Sequence, residues 1–422
     1  MKITSMKEVE LHRKKVLLRL DINSPIDPKT KKIVSDNRIR KSLPTLEYLL
    51  EQEAAIAIIA HQGDTLDYQN LIPLAEQAER LTELLGREVR YIDDVCGPAA
   101  VEAVKALQPG ELIILGNLRY LTEEVSSFEN NVPLTAPEMT GTWLVRSLAP
   151  LFDLYINDAF AAAHRNAPSM VAFQEVLPSA AGTLFFDEVS ALTTVMEEPP
   201  RPAVFLLGGA KISDAFGMME QVLSNGSADT ILTVGVTGLV FLLADGYSLG
   251  SRVDEFLKKR SLDAFIEPAR TYLADYPGRI RYPLDLAYEK PDGSRAEVGI
   301  DGDLPDGLFP DIGSRTIATY KEVIATAGTI FVNGPAGVFE EAKWEIGTRE
   351  LWRAIADAPG YSVVGGGDSV SATSRFTDPK KMSYICTAGG AMVRFLSGKK
   401  LPLIAAMETA WEHRTKGTGP YA

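Results

Sequence analysis

The sequence predicts an α/β protein of two domains, each a parallel sheet flanked by helices, the two joined by a hinge helix. Three observations predict it. The chain has 422 residues, more than one hydrophobic core usually supports. Short apolar runs alternate with longer amphipathic stretches along its length, the pattern of buried parallel strands with helical crossovers. Near the middle, LFFDEVSALTTVMEEPPRP (184–202) reads as one connecting helix ending at Pro199-Pro200, because proline cannot continue it.

In order, KVLLRLDIN (15–23), AAIAIIAHQG (54–63), VRYIDD (89–94), GELIILGNLR (110–119) and FDLYINDAF (152–160) are expected strands with their exit loops. LPTLEYLLEQE (43–53) and LIPLAEQAERLTELLG (71–86) carry helical spacing between them. The second half repeats the grammar in PAVFLLGGA (202–210), DTILTVG (229–235), GTIFVNGP (328–335) and YSVVGGGDS (361–369). The expected domains are 1–183, with the tail 401–422 packing back on it, and 184–400, which includes the connecting helix.

Hydrophobic residues are 45% and charged residues 23% of the chain, the profile of a soluble globular protein. Net charge is −13 and no Lys/Arg run builds a continuous basic footprint, which argues against a nucleic-acid binder. Two cysteines, Cys96 and Cys386, stand far apart with no CxxC pair, so a reducing cytoplasm is the expected setting. The N-terminal stretch is studded with charge, unlike a signal peptide. Thr230 to Ala244 is too short and glycine-interrupted to span a membrane.

In parallel α/β sheets, ligands sit beyond the carboxyl ends of the strands. There the first half carries Arg19, Asp21 and Asn23, then His61, Arg119, Asp158, His164 and Arg165, with Arg38 at a helix start. Several cations converging on one crevice suit a small, multiply charged anion, with Asp21 and Asn23 binding hydroxyls. The second half instead exits its strands on glycine, at Gly208-Gly209 before Lys211, at Gly235, at Gly334 and at Gly365-Gly366-Gly367 before Asp368. Glycines let a backbone approach a ligand, and the following helix aims free N–H groups at it. The P-loop pattern is absent, the dinucleotide fingerprint fails at Val370, and HExxH spacing does not occur. A small anion on one half and a nucleotide on the other suit phosphoryl transfer, which needs positioning and charge neutralisation more than covalent help. Lys211 and Arg38 are expected to meet the transferring group, and Asp368 to hold a magnesium ion.

These segments resemble the phosphoglycerate kinase family. LRLDINSP (18–25), NDAFAAAHR (157–165), LPSAAGTL (177–184), GGAKISD (208–214), NGPAGVFE (333–340) and GGGDSVSA (365–372) match its motifs in order, and the chain looks most like the archaeal branch. The resemblance implies two Rossmann-like domains that close on each other. It implies phosphorylation of 3-phosphoglycerate by ATP with Mg2+, reversible, in glycolysis, by a monomer or homodimer. It assigns phosphoglycerate to Asp21, Asn23, Arg38, His61, Arg119 and Arg165, with His164 close by and Ile22, Gln62, Gly63 and Asp64 in the same loops. The nucleotide falls to Gly209, Ala210, Lys211, Gly235, Asn333, Pro335, Val338, Glu340, Gly366, Gly367, Asp368 and Ser369, with Glu340 on the ribose. Asp64 stands where the family commonly has arginine, Ala215 where a second lysine is frequent, and Ala388 where glycine is usual.

Overall fold

The computed structural model describes residues 2–63 and 70–421. They form two compact units, Met1–Ser190 with Lys400–Ala422, and Ala191–Lys399.

The first unit holds strands β1 (Lys15–Arg19), β2 (Ala55–Ile59), β3 (Val89–Tyr91), β4 (Leu112–Ile114), β5 (Leu154–Asn157) and β6 (Ser179–Ala181). They make one parallel sheet in the order β3-β4-β2-β1-β5-β6. Register pairs Arg19 with Ile59 and with Asn157, so the loops leaving β1, β2 and β5 open at one end. Val16, Leu18, Ile56, Ile58, Leu112, Ile114 and Ile156 build the core beneath them with Leu46 and Leu49. The helix carrying those leucines, Asn37–Glu51, starts six residues earlier than the expected 43–53 and contains Pro44. Arg38 consequently sits in its first turn.

The second unit holds β7 (Ala203–Leu207), β8 (Thr230–Thr233), β9 (Ile280–Arg281), β10 (Asp285–Glu289), β11 (Arg295–Gly299), β12 (Asp311–Ile312), β13 (Thr329–Asn333), β14 (Tyr361–Gly365) and β15 (Tyr384–Ile385). Six form a parallel sheet ordered β15-β14-β13-β7-β8-β9, and β11-β10-β12 form a small antiparallel one. Both units thus carry the parallel α/β layers that the apolar runs imply. The antiparallel sheet was not anticipated, because β11 is half exposed and charged rather than an apolar run. It staples helices: Asp285 accepts the Arg315 and Thr316 N–H groups at 2.8 Å each, and Asp311 accepts that of Gly347 at 2.9 Å. A carboxylate at a helix start satisfies N–H groups that lack intrahelical partners.

Helix Thr183–Met196 follows β6 and ends before Pro199. The last helix, Pro402–Lys416, lies in the first unit. Leu403 N–H donates to the Ala163 carbonyl at 3.2 Å, and the Tyr421 hydroxyl accepts from Ser179 N–H at 2.8 Å. Among the described residues no helix is long and apolar enough to cross a membrane.

Asp158, just past β5, is buried and accepts the Phe185 N–H at 2.9 Å in the first turn of helix Thr183–Met196. Burial pushes its carboxyl up to about 7, against the lowering effect of hydrogen bonds from the Phe185 N–H, the Thr45 side chain and the Leu184 N–H. In the unfolded chain an aspartate titrates near ~3.9, so the folded state holds the proton more tightly. That contribution is complete below the unfolded value and is lost as pH rises through about 7. Between pH 5 and pH 8 the wild type should lose on the order of 2 kcal/mol that Asp158→Asn retains. Urea unfolding of both proteins at the two pH values measures this, and parallel pH slopes would exclude it.

Candidate active site

In the first unit, side chains from the exits of β1, β2, β4 and β5 gather around a cavity of about 10 Å³. Arg19, His61, Arg119, Arg165 and Glu124 line it. Arg19 is only 3% exposed. It donates through Nε to Ser169 Oγ at 3.3 Å, through Nη2 to His61 Nδ1 at 3.0 Å, and through Nη1 to the Leu20 carbonyl. Glu124 is also buried and accepts the Ser169 N–H at 2.7 Å and its hydroxyl at 2.6 Å. Burial raises the Glu124 carboxyl, while Ser169, Arg19 and Arg165 pull it down. The His61 imidazole lies well below its ordinary value, through burial first and then the charges of Arg19, Arg119, Arg38 and Arg165. It is therefore neutral at physiological pH, and the positive charge of this cavity resides on guanidinium groups alone.

Beside it, Arg38 Nη1 donates to both Asp21 oxygens, at 3.0 and 3.1 Å. Asn23 Oδ1 accepts the Gly63 N–H at 3.1 Å. Arg165 pairs with Glu129 at 2.6 Å. His164 is not among the cavity's lining residues. Gln62 is buried, with its amide committed to Ser24 and Gln77, and the Ile22 side chain belongs to the core. The Gln62 backbone is likewise engaged, its N–H donating to Asn117 Oδ1 at 3.2 Å and its carbonyl accepting from Asn117 Nδ2 at 2.9 Å. Asp64 lies outside the described residues. Glu124 and Ser169 escaped the reading of strand ends because both sit several residues past them. The missing signal was electrostatic: buried guanidinium groups require a buried counter-charge.

In the second unit, the twelve expected nucleotide residues line two cavities that share Gly209, Ala210 and Asp368. The first, about 170 Å³, adds Lys211, Asn333, Gly366, Gly367 and Ser369, together with Asp214, Ala215, Gly334, Gly389 and Gly390. Among the described residues, Lys211 is its sole cationic side chain. The second, about 280 Å³, adds Gly235, Pro335, Val338 and Glu340 to an apolar wall of Leu239, Val253, Phe256, Leu308 and Phe309. Polar space thus adjoins apolar space, as a phosphate chain adjoins a base. Leu308-Phe309 was the unused clue, an apolar pair inside a loop rich in Asp, Gly and Pro.

Local backbone explains the polar cavity. Gly366 caps helix Gly367–Phe376 at φ 85, ψ 141, where side chains are strained. A Cβ there would stand 2.5 Å from Asn333 Oδ1. Ser369 Oγ accepts the Gly334 N–H at 2.7 Å, tying this turn to the exit of β13. Gly366→Ala should cost about 1–3 kcal/mol of stability. Thermal melting tests it, and an unaltered midpoint would contradict the strain.

A family model described as phosphoglycerate kinase matches residues 6–399. This chain belongs to the phosphoglycerate kinase family. The phosphoglycerate kinase of Methanothermus fervidus is 40% identical over 415 residues, covering 98% of this chain and 99% of that one. That of Pyrococcus furiosus is 39% identical, covering 96% and 98%. Among solved structures, phosphoglycerate kinase from Pyrococcus horikoshii OT3 superposes with a TM-score of 0.84 at 37% identity, covering 97% of this chain and 100% of that one. The Coxiella burnetii enzyme gives 0.80 at 33%, covering 96% and 99%. The archaeal relatives agree with the archaeal character of the motifs. Within a family of phosphotransferases, two departures find local explanations. Ala388 has φ −129, so its methyl group is accommodated without strain. Ala215 is buried and contributes a methyl group to the polar cavity, leaving neutralisation there to Lys211.

Proposed function

We propose that the chain transfers a phosphoryl group reversibly between ATP and the carboxylate of 3-phosphoglycerate, giving 1,3-bisphosphoglycerate and ADP. The observation that carries the residue assignment is the pair of adjoining cavities lined by all twelve expected nucleotide residues. In this reading the apolar cavity takes the base and Glu340 the ribose hydroxyls. The phosphates lie against Lys211 and the N–H groups of helix Gly367–Phe376. Arg19, His61, Arg119 and Arg165 hold the phosphate of phosphoglycerate, Asp21 and Asn23 its hydroxyl, and Arg38 the transferring group. The acceptor carboxylate is ionised at neutral pH, so no general base is required.

Mg2+ fits the donor set. Asp368 is exposed and lines both cavities, and Mg2+ is typically bound through one or two carboxylates plus substrate phosphates. Among the described residues no group of three or more His, Cys, Asp and Glu forms a metal cage, in keeping with an ion that arrives with the nucleotide. When bound, it would neutralise phosphate charge. The family's glycolytic role and the two buried free cysteines support a cytoplasmic setting. A coupled assay of the wild-type chain should show Mg-ATP consumption that requires 3-phosphoglycerate. Absence of that dependence would refute the reading.

A further inference from the structure

We propose that Glu124 and Ser169 are positioning residues which, through Arg19, hold the His61 imidazole with its proton on Nε2, ready to donate to the bound anion. The inference rests on reading the first-unit cavity as the phosphoglycerate site. Four buried side chains carry it, with Ser169 at 0%, Arg19 at 3%, Glu124 at 5% and His61 at 6% exposure.

The direction of each hydrogen bond follows from chemistry. A guanidinium has five N–H donors and no acceptor, so at the 3.0 Å contact with Arg19 Nη2 the His61 Nδ1 must accept. The neutral ring then carries its proton on Nε2, its remaining donor. Arg19 is held by Ser169, whose hydroxyl oxygen accepts from Nε at 3.3 Å. A hydroxyl is free to rotate, and the wrong rotamer would turn its hydrogen toward Arg19. The Glu124 carboxylate removes that freedom by taking the hydroxyl hydrogen at 2.6 Å and the backbone N–H of the same residue at 2.7 Å. The order Glu124, Ser169, Arg19, His61 is thus a chain in which the donor at each link is assigned. It begins at a carboxylate that also offsets the charges of Arg19 and Arg165. A neutral imidazole that donates suits a phosphate oxygen without adding a further charge to the arginine cluster.

The test pairs kinetics with a direct view of the ring. Long-range proton–nitrogen NMR of the histidine-labelled, full-length wild type should show His61 as the Nε2–H tautomer. Ser169→Ala deletes the relay, and Glu124→Gln reverses it by offering an N–H donor where the carboxylate accepted. Both variants should shift the His61 nitrogen signals toward a tautomer mixture. Both should raise KM for 3-phosphoglycerate about tenfold, the size of one lost buried hydrogen bond, with KM for ATP unchanged. An Nδ1–H tautomer in the wild type would overturn the proposal, as would unaltered signals and KM in Ser169→Ala, a truncation small enough to fold. A wild type without phosphoglycerate-dependent turnover would overturn the functional reading instead, leaving the NMR result to decide the relay.

Discussion

Lys211→Ala is expected to lower kcat by about 10²–10³-fold, the range for removing one preorganised donor from a site of developing charge. Its position explains why no neighbour substitutes for it. Lys211 precedes helix Ile212–Ser224, directly after the Gly208-Gly209 exit from β7. Every other charged residue lining the polar cavity is acidic, namely Asp214 and Asp368. Ala215, one turn along, offers only a methyl group. In the proposed transfer, charge spreads over the phosphoryl oxygens, and the ammonium would be the local cation to meet it. Because this interaction strengthens toward the transition state, kcat should fall further than the affinity for ATP. A steady-state coupled assay with calorimetric ATP binding reads both quantities. Wild-type turnover in the variant would remove Lys211 from the chemistry.

Arg38→Ala should have an effect of similar size, roughly 10²-fold or more on kcat/KM, by a different route. The Arg38 side chain is 41% exposed while its partner Asp21 is 6% exposed. Truncation therefore leaves a buried carboxylate without its counter-charge and removes the fork that can grip two phosphoryl oxygens at once. Arg38→Lys restores the charge without the fork and should recover only part of the activity. If lysine restores full activity, the planar geometry is irrelevant. If alanine costs nothing, Arg38 is a structural partner of Asp21 and nothing more.

Much of this was legible in the sequence. The apolar runs at 15–23, 54–63, 202–210 and 328–335 each contain a strand, because a strand buried on both faces needs nothing but apolar residues. Their polar ends form loops that line the cavities, so the same stretches carry both strand and candidate site. Short or half-exposed strands lacked that signature: β9 and β15 have two residues each, and β11 alternates charge. Within the site, glycine and arginine at strand ends were readable by type. Glu124 and Ser169 were not, since their meaning lies in what they touch across 45 residues of chain. Gln62, which the resemblance put among the substrate residues, has its amide spent on the loop's own architecture.

The first unit is discontinuous in sequence: Lys400–Ala422 completes it only after the whole second unit has intervened. During synthesis the chain emerges from its N-terminus at about 5–20 residues per second. Residues 1–190 must therefore wait roughly ten seconds or more for the segment that donates Leu403 N–H to Ala163 and the Tyr421 hydroxyl to Ser179. The unit translated first is thus the last to close, and until then the patch that this terminal helix covers stays open to the ribosome-bound environment.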